Sequence, residues 1–385
     1  MHASRHPFWL VGFRPFFTLA CLAGMLLPIA WALIFSGSLP APIQRISSLQ
    51  WHAHEMFFGF GWAVLGGFLL TSTKNWVNIR GYHGPALMLL SAAWIIERLA
   101  MSFGGNWPAP LFWLAANLFL GCIIVLLLWT LLRHRAADSY KDNLFFIVML
   151  PAFVIAKNML LAGDFQAGYG MALALFRLAF LVMLERTLTQ FMKGVFQVQI
   201  LRQPRLDMPI KLLGLLLVVE FALPRPLTAA VSVLLAGLLL VRFFFWYPQK
   251  AITRIDIGIM YVGYLAIVGQ LLIEALGHLG NFVWVGSLSV HLFTFGAMGC
   301  VIPAMIVRIA KGHTGRKVVF DGLDRTVLYI MLLALAIRVV IPQLAPGAYL
   351  ACIHAAATCW LLAFCILAWR YIPFLLQARI DGREH

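Results

Sequence analysis

Apolar stretches of about 20 residues recur along the whole chain, and a helix of that length crosses the hydrocarbon core of a bilayer. The chain has 385 residues, of which 62% are hydrophobic and 11% are charged. Soluble domains carry about 25% charged residues. The sequence therefore predicts an all-α fold, a polytopic membrane helical bundle of about 12 transmembrane helices. The predicted spans are 16–36, 54–73, 84–101, 111–132, 144–162, 168–188, 209–223, 226–246, 256–276, 284–307, 325–343 and 349–371.

The segments between the predicted spans are short, so residues 1–385 are expected to form a single integral-membrane domain with no separate soluble domain. The seventh span, 209–223, is the shortest and runs into Pro224-Arg225-Pro226. Because proline interrupts a helix, this segment is predicted to be broken or re-entrant. The six cysteines all lie in apolar runs without CxxC spacing, which indicates buried free thiols.

The net charge of +15 is distributed unevenly between the two predicted faces. With an even number of spans and the N-terminus inside, 23 of the 29 basic residues fall on the cytoplasmic side, as the positive-inside rule requires. Both termini are therefore predicted to be cytoplasmic. No basic block interleaved with aromatic residues lies outside the spans, so the expected partner is the lipid bilayer and not nucleic acid.

Polar and ionisable residues inside the predicted spans concentrate toward the outer half of the membrane. Such residues are rare in a bilayer and mark functional sites by default. The alternative is that each is an isolated snorkelling side chain or a helix–helix contact, an interpretation that suits Lys157 and Glu274 in particular. The residues concerned are His52, His54, Glu55, Glu97, Arg98, Lys157, Glu274, His278, His291, Arg338 and His354.

His54 and His291 share the pattern H-x-x-x-F-G, and both lie at the outer start of a predicted span that runs inward. Two bundle helices that each offer one histidine are a common way to hold haem, and neutral imidazole also binds copper. The glycine five residues later leaves room for a neighbouring helix or a flat macrocycle. The pattern predicts that at least one of the pair ligates haem or a metal, with structural hydrogen bonding as the alternative.

His52 and Glu55 allow two interpretations. On an α-helix, His52 and His54 point about 200° apart, so they cannot share one metal unless the helix begins after His52. If the segment is helical throughout, Glu55 shares a face with His52 and is placed to hold its ring N–H, which fixes the tautomer of a ligand. Otherwise His54 binds haem while His52 belongs to a second metal site.

Three further residues are candidates for the same site. His354, close to Cys352 in the last span, is a candidate third or fourth ligand for copper, or a helix–helix hydrogen-bond donor. Arg98 and Arg338 lie near the outer ends of their spans, where arginine pairs with haem propionates or a substrate anion, or snorkels to the interface. No CxxCH, Walker A, GxGxxG or triad order is present, which excludes c-type haem and leaves enzymatic activity open.

Two short motifs lie on the predicted cytoplasmic side. Phe13-Arg14-Pro15-Phe16-Phe17 precedes the first span and has the composition of an interfacial anchor. Gly312-His313-Thr314-Gly315-Arg316 follows the tenth span. Its glycines suit a nest of N–H groups for an anion, but the motif is too short for a phosphate loop, and a tight basic turn is the favoured interpretation.

These motifs together resemble the NnrS family of bacterial inner-membrane proteins, and they follow one another in family order over almost the whole chain. The resemblance implies a multi-pass protein of the bacterial inner membrane that carries haem b and copper and protects against nitric oxide and nitrosative stress. The matching residues are 12–17, 51–56 with Gly59 and Phe60, 67–71, Asn75-Trp76, Arg98, Arg186 with Phe191, Gly263-Tyr264, His291 with Gly296, 308–316 and Arg338.

The chain departs from the family pattern in two places. Lys74 stands where the family is expected to have proline before Asn-Trp, and residues 186–194 differ at the cytoplasmic end of the sixth span. These departures indicate a divergent branch whose substrate or partner differs.

The resemblance and the outer histidines together predict a haem protein with His54 and His291 as ligands, and with His52 or His354 serving a second metal. Its small-molecule partner is expected to be nitric oxide or a related molecule that arrives through the membrane. The alternative is a membrane transporter or a handler of haem or metal for a respiratory enzyme, a class that twelve helices and the intramembrane Arg177 would suit. A third interpretation, an assembly factor, requires a respiratory-chain partner that the sequence does not identify.

Overall fold

The computed structural model describes residues 6–280 and 282–383, and within them the chain consists of helices and turns without a strand. The all-α prediction is therefore confirmed. Arg5, one of the basic residues assigned to the cytoplasmic side, lies outside the described residues. The helices that correspond to the predicted spans are α1 Phe13–Phe35, α2 Ser48–Trp76, α3 Pro85–Phe103, α4 Ala109–Arg133, α5 Leu144–Ala162, α6 Phe165–Phe196, α7 Pro204–Leu216, α8 Arg225–Phe244, α9 Ile255–Leu279, α10 Leu288–Gly312, α11 Gly322–Leu344 and α12 Tyr349–Leu376.

In the described part of the chain, eleven of these helices are long and apolar enough to cross a membrane. The exception is α7, which has 13 residues and continues as the 3-10 segment Leu217–Ala222. Asp207 and Lys211 make α7 more polar than the others, and Val219 leaves helical geometry at φ −107° and ψ 28°. The break predicted before Pro224 is therefore present, and the candidate spans number eleven instead of about twelve. The cytoplasmic location of both termini stays a prediction.

The chain divides into two compact units. The first unit is formed by Met1–Tyr169, Ile306–Val319 and Phe364–His385, and the second by Gly170–Met305 and Phe320–Ala363. The chain passes from one unit to the other within α6, within α10, in the loop before α11 and within α12. The first unit thus contains α1 to α5, and the second contains α7, α8, α9 and α11. The single integral-membrane domain stays a prediction.

In the first unit, α1 and α5 hold α2 in place. The backbone N–H of Phe13 at the start of α1 donates to Oγ1 of Thr71 on α2 at 2.9 Å. The ring of Trp62 on α2 meets the ring of Phe153 on α5 edge to face, with centroids 5.0 Å apart. Edge-to-face pairs of buried aromatic rings add to the stabilisation from burial itself. These contacts fix the helix that carries His54.

In the second unit, buried ion pairs connect α6, α7, α8 and α9. Nη1 of Arg242 lies 3.0 Å from Oε2 of Glu185, and Nε of Arg242 donates to the hydroxyl of Tyr264 at 3.1 Å. Nζ of Lys211 donates to Oε1 of Glu185 at 2.9 Å. Buried charges are tolerated when they are paired and hydrogen-bonded in this way. The polar residues that make α7 a poor membrane span therefore have partners inside the second unit.

Candidate functional site

The start of α2 settles the direction in which its histidines point. Oγ of Ser47 accepts a hydrogen bond from the N–H of Gln50 at 3.2 Å, and Oε1 of Gln50 accepts one from the N–H of Ser47 at 2.8 Å. This capping box starts the α-helix at Ser48, before His52. His52 and His54 are both helical and point in different directions, so they cannot share one metal through a single helix face.

The backbone of α2 changes from α to π immediately after His54. Ser48–His54 is α-helical, Glu55–Gly61 is π-helical, and Trp62–Trp76 is α-helical again. π-helical turns are rare and occur frequently at functional sites. Because a π turn is wider than an α turn, residues after His54 depart from the 3.6-residue period. A helical wheel drawn for an ordinary α-helix therefore misplaces side chains from Glu55 onward.

The ring of His54 is fully buried and is held through one nitrogen. Its Nδ1 lies 3.0 Å from Oε1 of Glu55. The pairing of Glu55 with Arg98 favours an ionised carboxylate, which only accepts hydrogen bonds. With Glu55 ionised, Nδ1 carries the proton and Nε2 carries the lone pair. Within the described residues Nε2 has no hydrogen-bond partner, and Oε1 of Glu97 is 3.6 Å away. A histidine held at one nitrogen by a carboxylate, with the other nitrogen free, has the arrangement of a metal-bound histidine.

Two carboxylates and two cations surround this ring. Oε1 of Glu97 accepts hydrogen bonds from Nζ of Lys157 and from Nη2 of Arg98, both at 2.6 Å. Nε of Arg98 lies 3.3 Å from Oε2 of Glu55. The four charges cancel when His54 is neutral, which is the condition under which buried charges are tolerated. His54, Glu55, Glu97, Arg98 and Lys157 all belong to the first unit, and we call them the His54 cluster.

Lys157 and Glu274, for which the sequence left open an isolated snorkelling side chain, are both paired with a residue of opposite charge. Lys157 is fully buried against Glu97. In the second unit, Glu274 accepts a hydrogen bond from Nη1 of Arg177 at 2.8 Å. The signal in the sequence for the first pair is the opposite sign of Glu97 and Lys157 on two predicted spans, because unlike charges attract strongly in a medium of low dielectric constant.

Glu55 and His52 have different neighbours. The carboxylate of Glu55 contacts the ring of His54. The ring of His52 stacks on Trp31 of α1, with centroids 4.1 Å apart and an interplanar angle of 11°. The ligand-orienting role predicted for Glu55 is therefore directed at His54, since the change of helix type begins at Glu55 itself.

The second candidate histidine lies on a matching backbone in the second unit. In α10, Leu288–His291 is α-helical, Leu292–Met298 is π-helical, and Gly299–Gly312 is α-helical. As in α2, the π segment has seven residues and begins directly after the histidine. The two H-x-x-x-F-G patterns therefore share a backbone conformation as well as a sequence.

The side chain of His291 has neutral and cationic neighbours. Its Nδ1 lies 2.7 Å from the carbonyl oxygen of Ser287, so Nδ1 carries the proton. Nη2 of Arg338 lies 3.3 Å from Nε2 of His291 and donates to the hydroxyl of Tyr349 at 3.3 Å. Arg338 belongs to a third π segment, Ala336–Val340. We call Ser287, His291, Arg338 and Tyr349 the His291 site.

The glycine that follows each histidine by five residues is used for close packing. A Cβ at Gly59 would collide with Nη1 of Arg98 on α3, and a Cβ at Gly296 would collide with Cβ of Ala266 on α9. A residue of a neighbouring helix therefore approaches the backbone closely at each position.

The remaining candidate ligands do not complete a metal centre. Across residues 6–280 and 282–383, no three His, Cys, Asp or Glu side chains gather where they could hold one metal ion. His354 is half-buried on the part of α12 that belongs to the second unit, and His278 is at the end of α9. The structure therefore groups His54 with Glu55 and Arg98, and His291 with Arg338.

Comparison with known proteins gives one family. The model of the NnrS protein family matches residues 7–379, which is nearly the whole chain and includes the His54 cluster and the His291 site. No curated protein matches the chain.

Proposed function

The chain belongs to the NnrS family, and we propose that it is a haem-binding protein of the bacterial inner membrane that acts in nitric oxide metabolism or in protection against nitrosative stress. The family assignment supports a role in the response to nitric oxide. The eleven candidate spans support a multi-pass membrane location. His54 is the proposed haem ligand of the first unit, and His291 is the proposed haem or metal ligand of the second unit.

The observation that carries this proposal is the unpaired Nε2 of His54. A buried imidazole nitrogen without a partner costs free energy on the order of 1–3 kcal/mol, so such atoms are rare in folded proteins. Here the opposite nitrogen is held by Glu55 at 3.0 Å, which fixes the tautomer that a metal requires. The residues present therefore fit a histidine that would hold a haem iron.

The other members of the His54 cluster compensate the charges around the imidazole ring of His54. When bound, haem iron supplies a coordination position for a diatomic molecule such as nitric oxide. Lys157 and Arg98 both pair with Glu97, so the charge of this carboxylate is compensated beside the imidazole ring. The ring of Phe58, centred 5.6 Å from that of His54, adds apolar surface that excludes water.

The ring nitrogen Nε2 of His291 is less accessible to a metal than that of His54, because an arginine lies against it. Nη2 of Arg338 lies 3.3 Å from Nε2 of His291, so ligation through Nε2 requires that Arg338 turn away. If haem were held here, Arg338 would be the residue beside His291 that could pair with a propionate. Arg98 is the weaker candidate for that role, because its guanidinium already pairs with Glu55 and Glu97.

The absorption spectrum of the full chain purified in mild detergent tests the proposal. We expect a Soret band, and we expect its intensity per protein to fall at least about tenfold in His54→Ala, since the proposed ligand and its carboxylate support are lost. His291→Ala is expected to shift or weaken the band. Copper is the less certain second cofactor of this proposal, and metal analysis of the same samples tests whether it is bound.

His278→Ala is the matched control, because His278 is a histidine on the same predicted side of the membrane that belongs to neither group. It should keep the haem content of the unmodified protein. Full haem occupancy in both His54→Ala and His291→Ala would contradict the ligand assignment, and absence of haem from the unmodified protein grown with haem supply would contradict the proposed function.

A membrane transporter or a handler of haem or metal for a respiratory enzyme is the second candidate. The observation that favours it is the division of the chain into two compact units that each contain an α–π–α helix with one histidine, since transporters are commonly built from paired structural repeats. Uptake of haem or metal into proteoliposomes by protein that retains no stable haem would support this candidate over the first.

A further inference from the structure

The two short motifs near the predicted cytoplasmic face come together at one end of the first unit. Nη1 of Arg14 donates to the carbonyl oxygens of Leu375 at 2.7 Å and Gln377 at 2.6 Å. Nη2 of Arg316 donates to Oε1 of Gln377 at 3.0 Å. The ring of Phe13 lies 5.4 Å from that of His313. The start of α1, the turn after α10 and the segment after α12 therefore form one structure, although they are distant in the sequence.

Positive charge accumulates at this junction. Burial, together with the cations Lys74, Arg379 and Arg14, lowers the pKa of His313 to about 4. Arg316 and Arg379 are also close enough to Arg14 to repel it. Like charges placed together in a partly buried region destabilise the fold unless an anion compensates them.

One acidic side chain neutralises part of this positive charge. Asp381 pairs with Arg379, whose Nε donates to Oδ1 at 2.8 Å. This pairing lowers the pKa of Asp381 to about 2. Within the described residues, the contacts of Arg14 and Arg316 are to carbonyl, hydroxyl and amide oxygens and to aromatic rings, and none is to a carboxylate.

Arg14 provides a second and independent observation. Its side chain is almost completely buried, at 1% exposed. Nε and Nη2 of its guanidinium have no hydrogen-bond partner among the described residues, although Nη1 has two. Buried N–H donors without a partner point to a bound ion or water, because leaving them unsatisfied costs about 1–3 kcal/mol each. A guanidinium with two free donors matches the geometry of a phosphate group.

The turn after α10 is shaped to keep this arrangement compact. Gly315 has φ +81°, a conformation that favours glycine, and a Cβ there would lie 2.8 Å from Cγ of Asp381. Oγ1 of Thr314 accepts a hydrogen bond from Nη1 of Arg316 at 2.9 Å, and its backbone carbonyl accepts one from the N–H of Ile380 at 3.1 Å. The motif therefore positions Arg316 next to Arg14 instead of leaving it free in solvent.

From these observations we propose that Arg14 and Arg316, assisted by the charges of Lys74 and Arg379, bind a phosphate group at the end of the first unit. The candidate spans in α1, α2 and α10 begin or end at Phe13, Trp76 and Gly312, next to this site. Its position at the boundary of the apolar region admits two sources of phosphate, an anionic phospholipid headgroup and free inorganic phosphate. The site shares no residue with the His54 cluster, so it is independent of the proposed haem function.

A titration with inorganic phosphate tests the proposal on the full chain in neutral detergent at constant ionic strength. We expect phosphate to raise the thermal unfolding midpoint of the unmodified protein, because a ligand of the folded state stabilises it.

Two variants test the arginines. Arg14→Lys keeps the charge and loses the fork of donors, and Arg316→Gln removes a half-exposed cation with little risk to folding. Each variant is expected to weaken phosphate binding at least about tenfold. Arg133→Gln, which changes an exposed arginine at the end of α4 in the same unit, is the matched control and should respond like the unmodified protein.

A second measurement identifies the source of the phosphate. The same proteins are placed in nanodiscs of phosphatidylcholine alone or mixed with phosphatidylglycerol, and retained lipids are counted by native mass spectrometry. Retention of phosphatidylglycerol that is lost in Arg316→Gln supports the lipid source, and a response to inorganic phosphate without such retention supports the free ion. If neither measurement distinguishes the unmodified protein from Arg14→Lys and Arg316→Gln, the proposal is wrong. Haem content is recorded in every variant and should not change, whatever the outcome for His54.

Discussion

The His54 cluster and the His291 site begin from the same local sequence and end as different chemical environments. Both have H-x-x-x-F-G, and both change from α to π directly after the histidine. Yet His54 is fully buried among two carboxylates and two cations. His291 is half-exposed, with its Nδ1 on a backbone carbonyl and one arginine on its Nε2.

This difference separates what the local sequence determines from what the neighbouring helices determine. The shared pattern accounts for the helix type, which is a local property of the backbone. The charge around each ring comes from residues on other helices, Glu97 and Lys157 for His54 and Arg338 for His291. The same histidine motif therefore yields a neutral ligand in a balanced ionic cluster in one unit and a ring covered by an arginine in the other.

The largest effect is expected from Glu97→Gln. This change leaves Lys157 fully buried without its carboxylate, and loss of one partner from a buried ion pair costs about 3–5 kcal/mol. The free energy of unfolding, measured by denaturant titration in detergent, should fall by that amount. The double variant Glu97→Gln with Lys157→Met removes both charges of the pair and should recover more than half of the loss. A loss in the double variant that equals or exceeds the single one would show that the cluster is not held by its charge balance.

A smaller effect is expected at the two matched glycines. Gly296→Ala places a Cβ against Cβ of Ala266, a collision between two rigid atoms, and such overpacking costs about 1–3 kcal/mol. Gly59→Ala meets the end of the Arg98 side chain, which can move only by weakening its pairing with Glu97. Unfolding titrations should show that Ala266→Gly rescues Gly296→Ala, since it removes the opposing Cβ. If Ala266→Gly rescued Gly59→Ala equally, the two glycines would not be acting through separate contacts.

Much of the fold follows from the sequence, and much of the candidate site does not. Hydropathy is a local property, so each of the twelve apolar stretches could be predicted to be helical. The break before the prolines that follow residue 223 could be predicted in the same way. The capping box of Ser47 and Gln50 is also a local pattern that would have fixed the helix start before His52.

The π segments were not predicted, because residue spacing was counted on an α-helical period. The pairing of Glu97 with Lys157 joins residues 60 apart, and no local pattern specifies which of several intramembrane charges meet.

The smallest effect is expected from Arg338→Gln in the His291 site. Arg338 is bonded to a neutral imidazole and a neutral hydroxyl, and glutamine can replace part of that bonding, so the loss of unfolding free energy should be about 1 kcal/mol. The same titration applied to Arg98→Gln provides the contrast, because that change leaves Glu55 and part of Glu97 without a counter-charge and should cost about 3 kcal/mol or more. Equal losses in the two variants would mean that Arg338 also neutralises a buried negative charge. Unequal losses in the expected order would establish that the charges around His54 depend on one another, whereas those around His291 do not. That dependence is the property that makes the unpaired nitrogen of His54 the stronger candidate ligand.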